Sequence, residues 1–251
     1  MNKQLLDKIR EKREFSQLPE KDIENAFSHY EKIQASDDEK IKLTKELLRK
    51  VFSAFISQKL LSLKNKDTEW ILRKHISTRE RLPYYGKIYS RIFGEEKIAS
   101  VIDLGAGING FSYDYLGRKK KYTAIESVGQ LVELMNFYFG KEKLNARAIH
   151  LSLFETEKVK KTIEEEKKPR IVFLFKVIDA LESLKPNYSK ELISEIAEIA
   201  DKIVVSFATR SLGSREKFRA KRNWIVDFVK EHFNLLDDFE LGGERYLVFN
   251  K

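Results

Sequence analysis

A glycine-rich turn after the apolar run at 101–104 gives the first chemical signal in this sequence. Asp103 lies in the run and Gly105, Gly107 and Gly110 follow it, so the stretch reads D-x-G-x-G and also G-x-G-x-x-G. Glycine lets a backbone bend sharply and approach a ligand closely, which is why such turns hold nucleotides. The spacing alone leaves three interpretations: a dinucleotide, a methyl donor, or a purely structural turn.

Two carboxylates narrow this choice. Glu126 lies 21 residues beyond Gly105, at the end of the next predicted strand. A carboxylate there accepts hydrogen bonds from a ribose diol, which NAD and S-adenosylmethionine both possess. Asp103 discriminates between them, because its charge would repel a pyrophosphate, whereas S-adenosylmethionine carries an ammonium and a sulfonium and no phosphate. We therefore predict that the turn binds S-adenosylmethionine.

Short β-rich runs and helical patterns alternate from residue 98 onward and must position this turn. The predicted strands are 98–105, 122–126, 146–150, 170–178, 202–208, 233–241 and 245–250, with helices near 128–139, 155–167, 188–200 and 214–233. The alternation implies βαβ crossovers and a buried parallel sheet, and Gly242-Gly243 marks a closing hairpin. Residues 1–97 show helical spacing throughout.

These patterns predict an α/β fold of the class I S-adenosylmethionine-dependent methyltransferase type. It is Rossmann-like, with a mostly parallel seven-stranded sheet and a C-terminal antiparallel hairpin, preceded by an all-helical N-terminal domain. The expected domains are 1–97, for docking to RNA or the ribosome, and 98–251, for methyl transfer. A full dinucleotide-binding domain would need two mononucleotide halves and would leave little chain for a substrate domain.

The composition excludes several functions. Cysteine is absent, which removes disulfides, zinc–thiolate sites and a cysteine nucleophile, and the four histidines show no metal-ligand spacing, so no metal is expected. No apolar run approaches the roughly 20 residues that span a bilayer, and the charged N-terminus does not resemble a secretory signal. We expect a cytoplasmic monomer without a membrane partner, and the abundant Lys and Glu fit a thermophile.

The formal net charge is +9, from 48 Lys and Arg against 39 Asp and Glu. A basic surplus favours a polyanionic partner, nucleic acid first, although a solvated Lys- and Glu-rich surface is the plain alternative. Two segments, 73–91 and 206–222, each hold six basic residues and one acidic residue. The second begins where the fifth strand ends, beside the predicted donor site, and is the better candidate for contacting RNA phosphates.

The methyl acceptor is constrained by what the sequence lacks. Methylation of a pyrimidine C5 usually needs a cysteine, and methylation of base amino groups commonly uses an N-P-P-[FY] motif after the fourth strand, where this sequence has FLFKVIDAL. A ring nitrogen such as guanine N7 has an in-plane lone pair and loses no proton, so its methylation requires positioning and no general base. The sequence suits that target best.

Four motifs in order resemble the Arm/Rmt-type aminoglycoside-resistance 16S ribosomal RNA guanine-N7 methyltransferases. HISTRER at 75–81 is similar to the H-x-S-T-x-E-R segment of that family, and VIDLGAGINGF at 101–111 to its D-x-G-C-G-x-N-P-L loop. FLFKVIDALE at 173–182 resembles its Leu-Lys segment, and SFATRSLGSREK at 206–217 its S-F-P-[TI]-[RK]-S-L-[SG]-G-[RK] run. The motifs cover about residues 73–251, and the helical N-terminus is similar in kind.

The resemblance implies roles for individual residues. Arg81 would contact the donor's carboxylate, Glu126 its ribose, and Lys176 would lie at the methionine end or by the incoming base, as the candidate catalytic residue. The remaining donor-binding candidates are Asp103, Gly105, Ala106, Gly107, Ser152 and Leu153. The residues expected to face RNA are Arg210, Ser211, Arg215, Lys217 and Arg219.

Three positions depart from the family pattern. Ala106 stands where the family has cysteine, Gly110 where it has proline, and Ala208 where it has the proline after SF. The turn relies on backbone geometry, so the change at Ala106 is mild. The two missing prolines, at Gly110 and Ala208, leave the identity of the target base open. The leading hypothesis is methylation of a 16S rRNA guanine N7 at the decoding site of the 30S subunit. The alternatives are the same chemistry on tRNA or another rRNA guanine, or a non-catalytic ribosome- or RNA-binding protein.

Overall fold

The computed structural model describes residues 1–52, 67–117, 120–209 and 222–251, and a seven-stranded sheet lies at its centre. The strands are β1 Ser100–Leu104, β2 Lys121–Glu126, β3 Ala146–His150, β4 Arg170–Phe175, β5 Lys202–Ala208, β6 Asn234–Leu241 and β7 Glu244–Asn250. Their order is β3-β2-β1-β4-β5-β7-β6. The first five are parallel, and β7 is antiparallel to both β5 and β6. The predicted α/β class and closing hairpin are confirmed.

Helices precede the sheet and connect its strands. The N-terminal helices are α1 Lys3–Arg10, α2 Glu20–Ser28, α3 Asp37–Phe52, α4 Thr68–Leu72, α5 Ile76–Arg81 and α6 Tyr85–Phe93. The later ones are α7 Tyr113–Leu116, α8 Gly129–Lys141, α9 Thr156–Glu164, α10 Ile178–Leu184, α11 Tyr188–Ala197 and α12 Asn223–His232. Short 3-10 turns occupy Leu82–Tyr84 and Asn109–Ser112.

The central strands are buried on both faces, as their sequences require. Every residue of β1 and β4 is buried, because helices cover both faces of a parallel sheet. The outer hairpin strand β6, in contrast, is largely exposed or half-buried, and its sequence mixes apolar and polar residues. The buried hydrophobic side chains, from Leu5 in α1 to Phe249 in β7, form one cluster. The N-terminal helices therefore share one core with the sheet.

Two tyrosines of the basic segment 73–91 belong to this core. Tyr89 stacks on Phe173 of β4, with ring centroids 5.9 Å apart and an interplanar angle of 5°. Tyr85 is also buried, and its hydroxyl donates to Asn109 Oδ1 at 2.8 Å. Both side chains therefore pack the helical region onto the sheet and are not available to stack on RNA bases.

The predicted strands 146–150 and 202–208 coincide with β3 and β5. The prediction for the fourth strand was too long, because β4 ends at Phe175 and α10 begins at Ile178. Lys176 ends the strand with a left-handed backbone, at φ 55°, a conformation that interrupts extended pairing. The apolar run through Val177 gave no signal of this break. The predicted helix 214–233 falls partly outside the described residues, and its described part is α12.

The strand order reverses beside β1, which pairs with β2 on one side and with β4 on the other. In open α/β sheets, ligands bind at such a reversal, in the crevice beyond the carboxyl ends of the strands. The glycine turn after β1 and the Lys176–Val177 bend after β4 both lie there. A Cβ placed on Gly105 would lie 2.5 Å from Val177 Cγ2, so the two connections are in direct contact.

Candidate active site

A cavity of about 330 Å³ opens at this reversal. Ligand sites in proteins are concave, mostly apolar, and hold a few convergent polar groups. The polar and charged side chains that line this cavity are Asp22, Lys50, His75, Ser77, Thr78, Arg81, Glu126, Ser127, Lys176, Asp179 and Ser183. Gly105, Ala106 and Leu153 line it as well, so residues from the N-terminal helices and from the sheet share one cavity.

The glycine turn has the conformation that its residues favour. Gly105 and Gly107 have φ of 67° and 55°, the left-handed region that glycine enters most easily. The backbone N–H groups of Gly105 and Ala106 donate to Ile125 O at 2.9 and 3.2 Å, which ties the turn to the end of β2. Gly110 is required by packing instead. A Cβ there would lie 2.8 Å from Met135 Sδ and 2.8 Å from Phe139 Cζ, both on α8.

Asp103 lies behind the turn and is not among the residues that line the cavity. Its Oδ2 accepts hydrogen bonds from Asn109 Nδ2 and the Tyr122 hydroxyl, both at 2.7 Å, while its Oδ1 is buried without a partner. Burial raises the pKa of Asp103 to about 6, against the lowering effect of these two hydrogen bonds. Asp103 therefore braces the turn from within, and its direct contact with a donor stays a prediction.

Glu126 is buried at the end of β2 and faces the cavity. Its two carboxylate oxygens accept the backbone N–H groups of Gly107 and Val128, each at 2.8 Å. Burial raises its pKa, and these backbone hydrogen bonds oppose that rise. The contact with Gly107 fixes the carboxylate against the glycine turn, as expected for an acceptor beside a bound nucleoside.

A buried ion-pair network reaches the cavity through Arg81 and Lys176. Glu244 Oε2 accepts from Arg81 Nε at 3.1 Å and lies 3.3 Å from Lys176 Nζ, so one carboxylate serves two cations. Lys176 Nζ also donates to Glu80 Oε2 at 2.9 Å, and Arg81 donates to Asn109 Oδ1 at 2.7 Å. Burial alone would lower the pKa of Arg81, but the charge of Glu244 reverses this and raises it. Arg81 is therefore a fixed cation in the cavity wall.

The side chain of Lys176 is held by the backbone bend after β4. Its own N–H donates to Ser206 O at 3.0 Å and to Ser206 Oγ at 3.2 Å, which joins the end of β4 to β5. Ser206 Oγ in turn donates to Glu244 Oε1. The same three strands, β4, β5 and β7, thus fix the lysine ammonium and its carboxylate partner.

His75 lies in the cavity wall as an uncharged group. Its Nδ1 is 2.6 Å from Ser77 Oγ. Burial, together with the nearby positive charges of Arg81, Lys176 and Arg79, lowers the pKa of His75 to about 3. The imidazole is therefore neutral at physiological pH.

Glu244 and Asp22 are two charged groups of this site that were not predicted from the sequence. Glu244 begins β7 opposite Ala208, and the hairpin at Gly242-Gly243 was the one available signal of its position. Asp22 reaches the cavity from α2, more than 80 residues before the glycine turn, and nothing in its helical surroundings marks it. Both depend on long-range packing, which residue spacing does not encode.

The other predicted donor-binding residues differ in position. Leu153 lines the cavity, whereas Ser152 is fully buried beside it and its Oγ accepts the N–H of Phe154 at 3.1 Å. The residues predicted to face RNA, namely Arg210, Ser211, Arg215, Lys217 and Arg219, lie outside the described residues.

The described ends of that segment are anchored beside the cavity. Thr209 N–H donates to Gly243 O at 2.9 Å. Arg222 makes a bidentate pair with Asp179 at 2.8 and 2.6 Å and donates to Ala208 O at 3.0 Å. The chain therefore leaves β5 and returns to α12 at the rim of the cavity.

Among the described residues, no group of three or more His, Asp or Glu side chains is placed to hold a metal ion. Within that same part of the chain, no helix is long and apolar enough to cross a membrane.

The sheet order, the reversed hairpin and the cavity at the strand reversal define a class I methyltransferase fold. Residues 40–229 match the model of the ribosomal RNA methyltransferase family FmrO. The chain belongs to this family.

Curated relatives carry the name 16S rRNA (guanine(1405)-N(7))-methyltransferase. The protein of Frankia casuarinae is 27% identical over 147 residues, which are 58% of this chain and 50% of that protein. The protein of Micromonospora echinospora is 25% identical over 182 residues, 70% of this chain and 63% of that protein. The matches thus span between half and two thirds of the relatives' own length.

Solved structures with the same fold cover the whole chain. The 16S rRNA methyltransferase RmtF, in complex with S-adenosyl-L-homocysteine, is 21% identical, covers 100% of both chains and has a TM-score of 0.80. The 16S rRNA methylase RmtB is 16% identical, covers 99% of this chain and 97% of its own, and has a TM-score of 0.79. At these identities the likeness establishes the fold, including its helical N-terminal part.

Proposed function

We propose that this protein is an S-adenosylmethionine-dependent methyltransferase that modifies N7 of a guanine in 16S rRNA, at the decoding site of the 30S subunit. Its family consists of ribosomal RNA methyltransferases, and the curated relatives are named for that reaction. The observation that carries the proposal is the cavity at the strand reversal between β1 and β4, which is lined by the carboxylates of Glu126 and Asp22 and by the cations of Arg81 and Lys176.

The residues present fit such a donor. Glu126, held against the glycine turn, supplies an acceptor for ribose hydroxyls. Arg81 and Lys176 supply positive charge for an amino-acid carboxylate, and their ion pairs with Glu80 and Glu244 hold both cations in place. The tight approach of Gly105 to Val177 shows that this part of the wall has no room for a side chain on the turn. A nucleoside joined to an amino-acid carboxylate matches both the acceptor and the cations of the cavity.

When bound, S-adenosylmethionine supplies an electrophilic methyl group on a sulfonium. Guanine N7 offers a lone pair and loses no proton, so the protein must orient the two reactants and exclude water. Lys176, fixed by Ser206 and Glu244, is the proposed catalytic residue, with a charge at the carboxyl end of β4 that positions the target base. His75 is neutral and is not required as a proton acceptor.

The residues that would contact RNA are proposed from the family resemblance and from the position of the basic segment 206–222. Arg210, Ser211, Arg215, Lys217 and Arg219 would contact 16S rRNA phosphates, since the ends of their segment lie at the rim of the cavity. Residues 1–97 would form a domain that docks on the 30S subunit, and residues 98–251 the methyltransferase domain. We further propose that the protein acts as a cytoplasmic monomer from a thermophile and confers aminoglycoside resistance.

Incubation with labelled S-adenosylmethionine tests the proposed reaction. Intact 30S subunits, naked 16S rRNA and tRNA are offered separately, and the labelled nucleoside is mapped. We expect 7-methylguanosine at one 16S rRNA position in 30S subunits and none after Lys176→Ala. Label in tRNA or at another rRNA guanine would redirect the target, and no label in any substrate would favour a non-catalytic ribosome-binding protein.

Donor binding and RNA binding are tested separately. Calorimetry with S-adenosylhomocysteine should show binding that Glu126→Ala weakens, and undiminished affinity in that variant would contradict the assigned ribose site. Arg210→Ala combined with Arg215→Ala should weaken RNA binding and spare donor binding. Equal losses of both affinities would place that segment in the donor site.

A further inference from the structure

Helix α2 places a carboxylate in the wall of the cavity. Asp22 is 2% exposed, and it lines the cavity together with Glu126 and Ser127. Both of its oxygens lie 3.4 Å from Ser127 Oγ, and the Ser152 side chain lies close enough to lower the pKa of Asp22. Asp22 therefore lies between the ends of β2 and β3, on the same side of the cavity as Glu126.

The helix that carries Asp22 is fixed at both of its ends. Just before α2, Gln17 packs so closely on the first residue of α8 that a Cβ on Gly129 would lie 2.5 Å from Gln17 Oε1. Just after α2, His29 Nε2 is 2.9 Å from Leu184 O, at the end of α10. The residues that flank α2 thus contact α8 and α10, and these contacts hold Asp22 in the cavity wall.

The position is unfavourable for a carboxylate that has only a packing role. Burial and the nearby charge of Glu126 raise the pKa of Asp22, and the two serine hydroxyls compensate only in part. An asparagine of the same shape would satisfy the two hydroxyls without this electrostatic cost. A buried carboxylate that faces a cavity is better explained by a ligand that donates hydrogen bonds to it.

We propose that Asp22 accepts a hydrogen bond from the nucleoside half of the methyl donor, so that the N-terminal helices complete the donor site. This inference rests on the proposed function, because the nucleoside is that of S-adenosylmethionine. The groups that Asp22 recognises are neutral N–H or O–H donors, which the adenine amine and the ribose hydroxyls both supply. Glu126 and Asp22 are thus two acceptors for one nucleoside, one from the sheet and one from α2.

Calorimetry with three ligands tests the contact directly. The probes are S-adenosylhomocysteine, its analogue with hydrogen in place of the purine amino group, and its 3′-deoxyribose analogue. We expect the wild-type protein to bind one or both of the two analogues at least 10-fold more weakly than S-adenosylhomocysteine. Because Glu126 also serves the ribose, the group that Asp22 binds is identified by the analogue that Asp22→Ala no longer distinguishes from S-adenosylhomocysteine. Asp22→Ala should bind S-adenosylhomocysteine about 10- to 100-fold more weakly and should no longer distinguish it from that analogue.

Matched variants separate a contact from a change in folding. Glu20→Ala removes an exposed carboxylate from the same helix and should leave all three affinities unchanged. Asp22→Asn retains one acceptor oxygen and should lose less affinity than Asp22→Ala, while both variants keep a cooperative melting transition. If Asp22→Ala still discriminates against each analogue as strongly as the wild type does, the proposed contact is wrong. If the wild-type protein itself does not bind S-adenosylhomocysteine, the proposed function fails instead.

Discussion

Replacing Asp22 by asparagine should stabilise the ligand-free protein at pH 8 much more than at pH 5. In the folded chain, burial raises the pKa of Asp22 from 3.8 to about 7. Between these two values the folded state binds a proton that the unfolded state has released, so stability falls as the pH rises from about 4 to about 7. Below this window the carboxyl is protonated in both states and carries no penalty. Asparagine cannot ionise, so the variant escapes the loss.

The difference between the two pKa values sets the size of the effect. One pKa unit corresponds to about 1.4 kcal/mol, so the full penalty at pH 8 is about 4 kcal/mol. At pH 5 the unfolded carboxyl is mostly ionised and the folded one is protonated, which gives a penalty of about 2 kcal/mol. The advantage of Asp22→Asn should therefore grow by about 2–3 kcal/mol between pH 5 and pH 8. Asparagine can still hydrogen-bond the Ser127 hydroxyl, so that contact is retained.

Urea denaturation of both proteins at pH 5, 6.5 and 8, without nucleoside ligands, measures this advantage. Glu157→Gln is the matched control, because the side chain of Glu157 is 88% exposed and its neutralisation should give no pH-dependent gap. A gap for Asp22→Asn that is equal at pH 5 and pH 8, or that widens toward low pH, would refute the argument. A variant that is more stable at pH 8 yet binds S-adenosylhomocysteine less tightly would show that Asp22 is kept for its ligand.

Two further predictions concern the buried network and the glycine turn, and urea denaturation at pH 7.5 measures both. Glu244→Ala leaves Arg81 and Lys176 without their shared carboxylate and should lower the free energy of unfolding by about 3–5 kcal/mol; wild-type stability would mean that the network is not coupled. Gly110→Ala should cost about 1–3 kcal/mol, because its Cβ would lie 2.8 Å from side chains of α8. Gly86→Ala is the control, since it meets open space in a helix and should gain stability, and an equal response of the two glycines would contradict the packing explanation.

Much of the sheet could be predicted because each strand is a local pattern. Strand β5 was predicted to the residue, since a buried parallel strand reads as a short apolar run. The half-buried edge strand β3 was also predicted to the residue, from a short β-rich run between two helical patterns. The turn after β1 was equally legible, because left-handed backbone at Gly105 and Gly107 leaves a mark in residue type. The end of β4 left no such mark, since Lys176 adopts the left-handed conformation without being glycine. A left-handed backbone can be predicted from the sequence only where it requires a particular residue type, such as glycine.

The composition of the site could be predicted less well than its location. The turn, Glu126 and Arg81 lie at one cavity, as the spacing and the family resemblance implied. Asp103, which decided the choice of ligand at the level of sequence, lies behind the turn and bonds Asn109 and Tyr122. Its pattern was informative, but its physical role is to hold the turn. The spacing of residues in a motif predicts the fold. It does not show whether a given side chain faces the ligand or the protein interior.

The charged side chains that line the cavity fall into two sets, and this grouping favours one direction for the proposed donor. Arg81 and Lys176, with Glu244 between them, lie at the ends of α5, β4 and β7, whereas Glu126 and Asp22 lie together near the end of β2. A nucleoside placed beside the two cations would leave the amino-acid carboxylate facing two acidic side chains, which Coulomb repulsion disfavours. The opposite orientation pairs each group with its complement. It also puts the amino-acid half at the carboxyl ends of β4 and β5, where the chain leaves Ala208 for the basic segment that we propose contacts RNA.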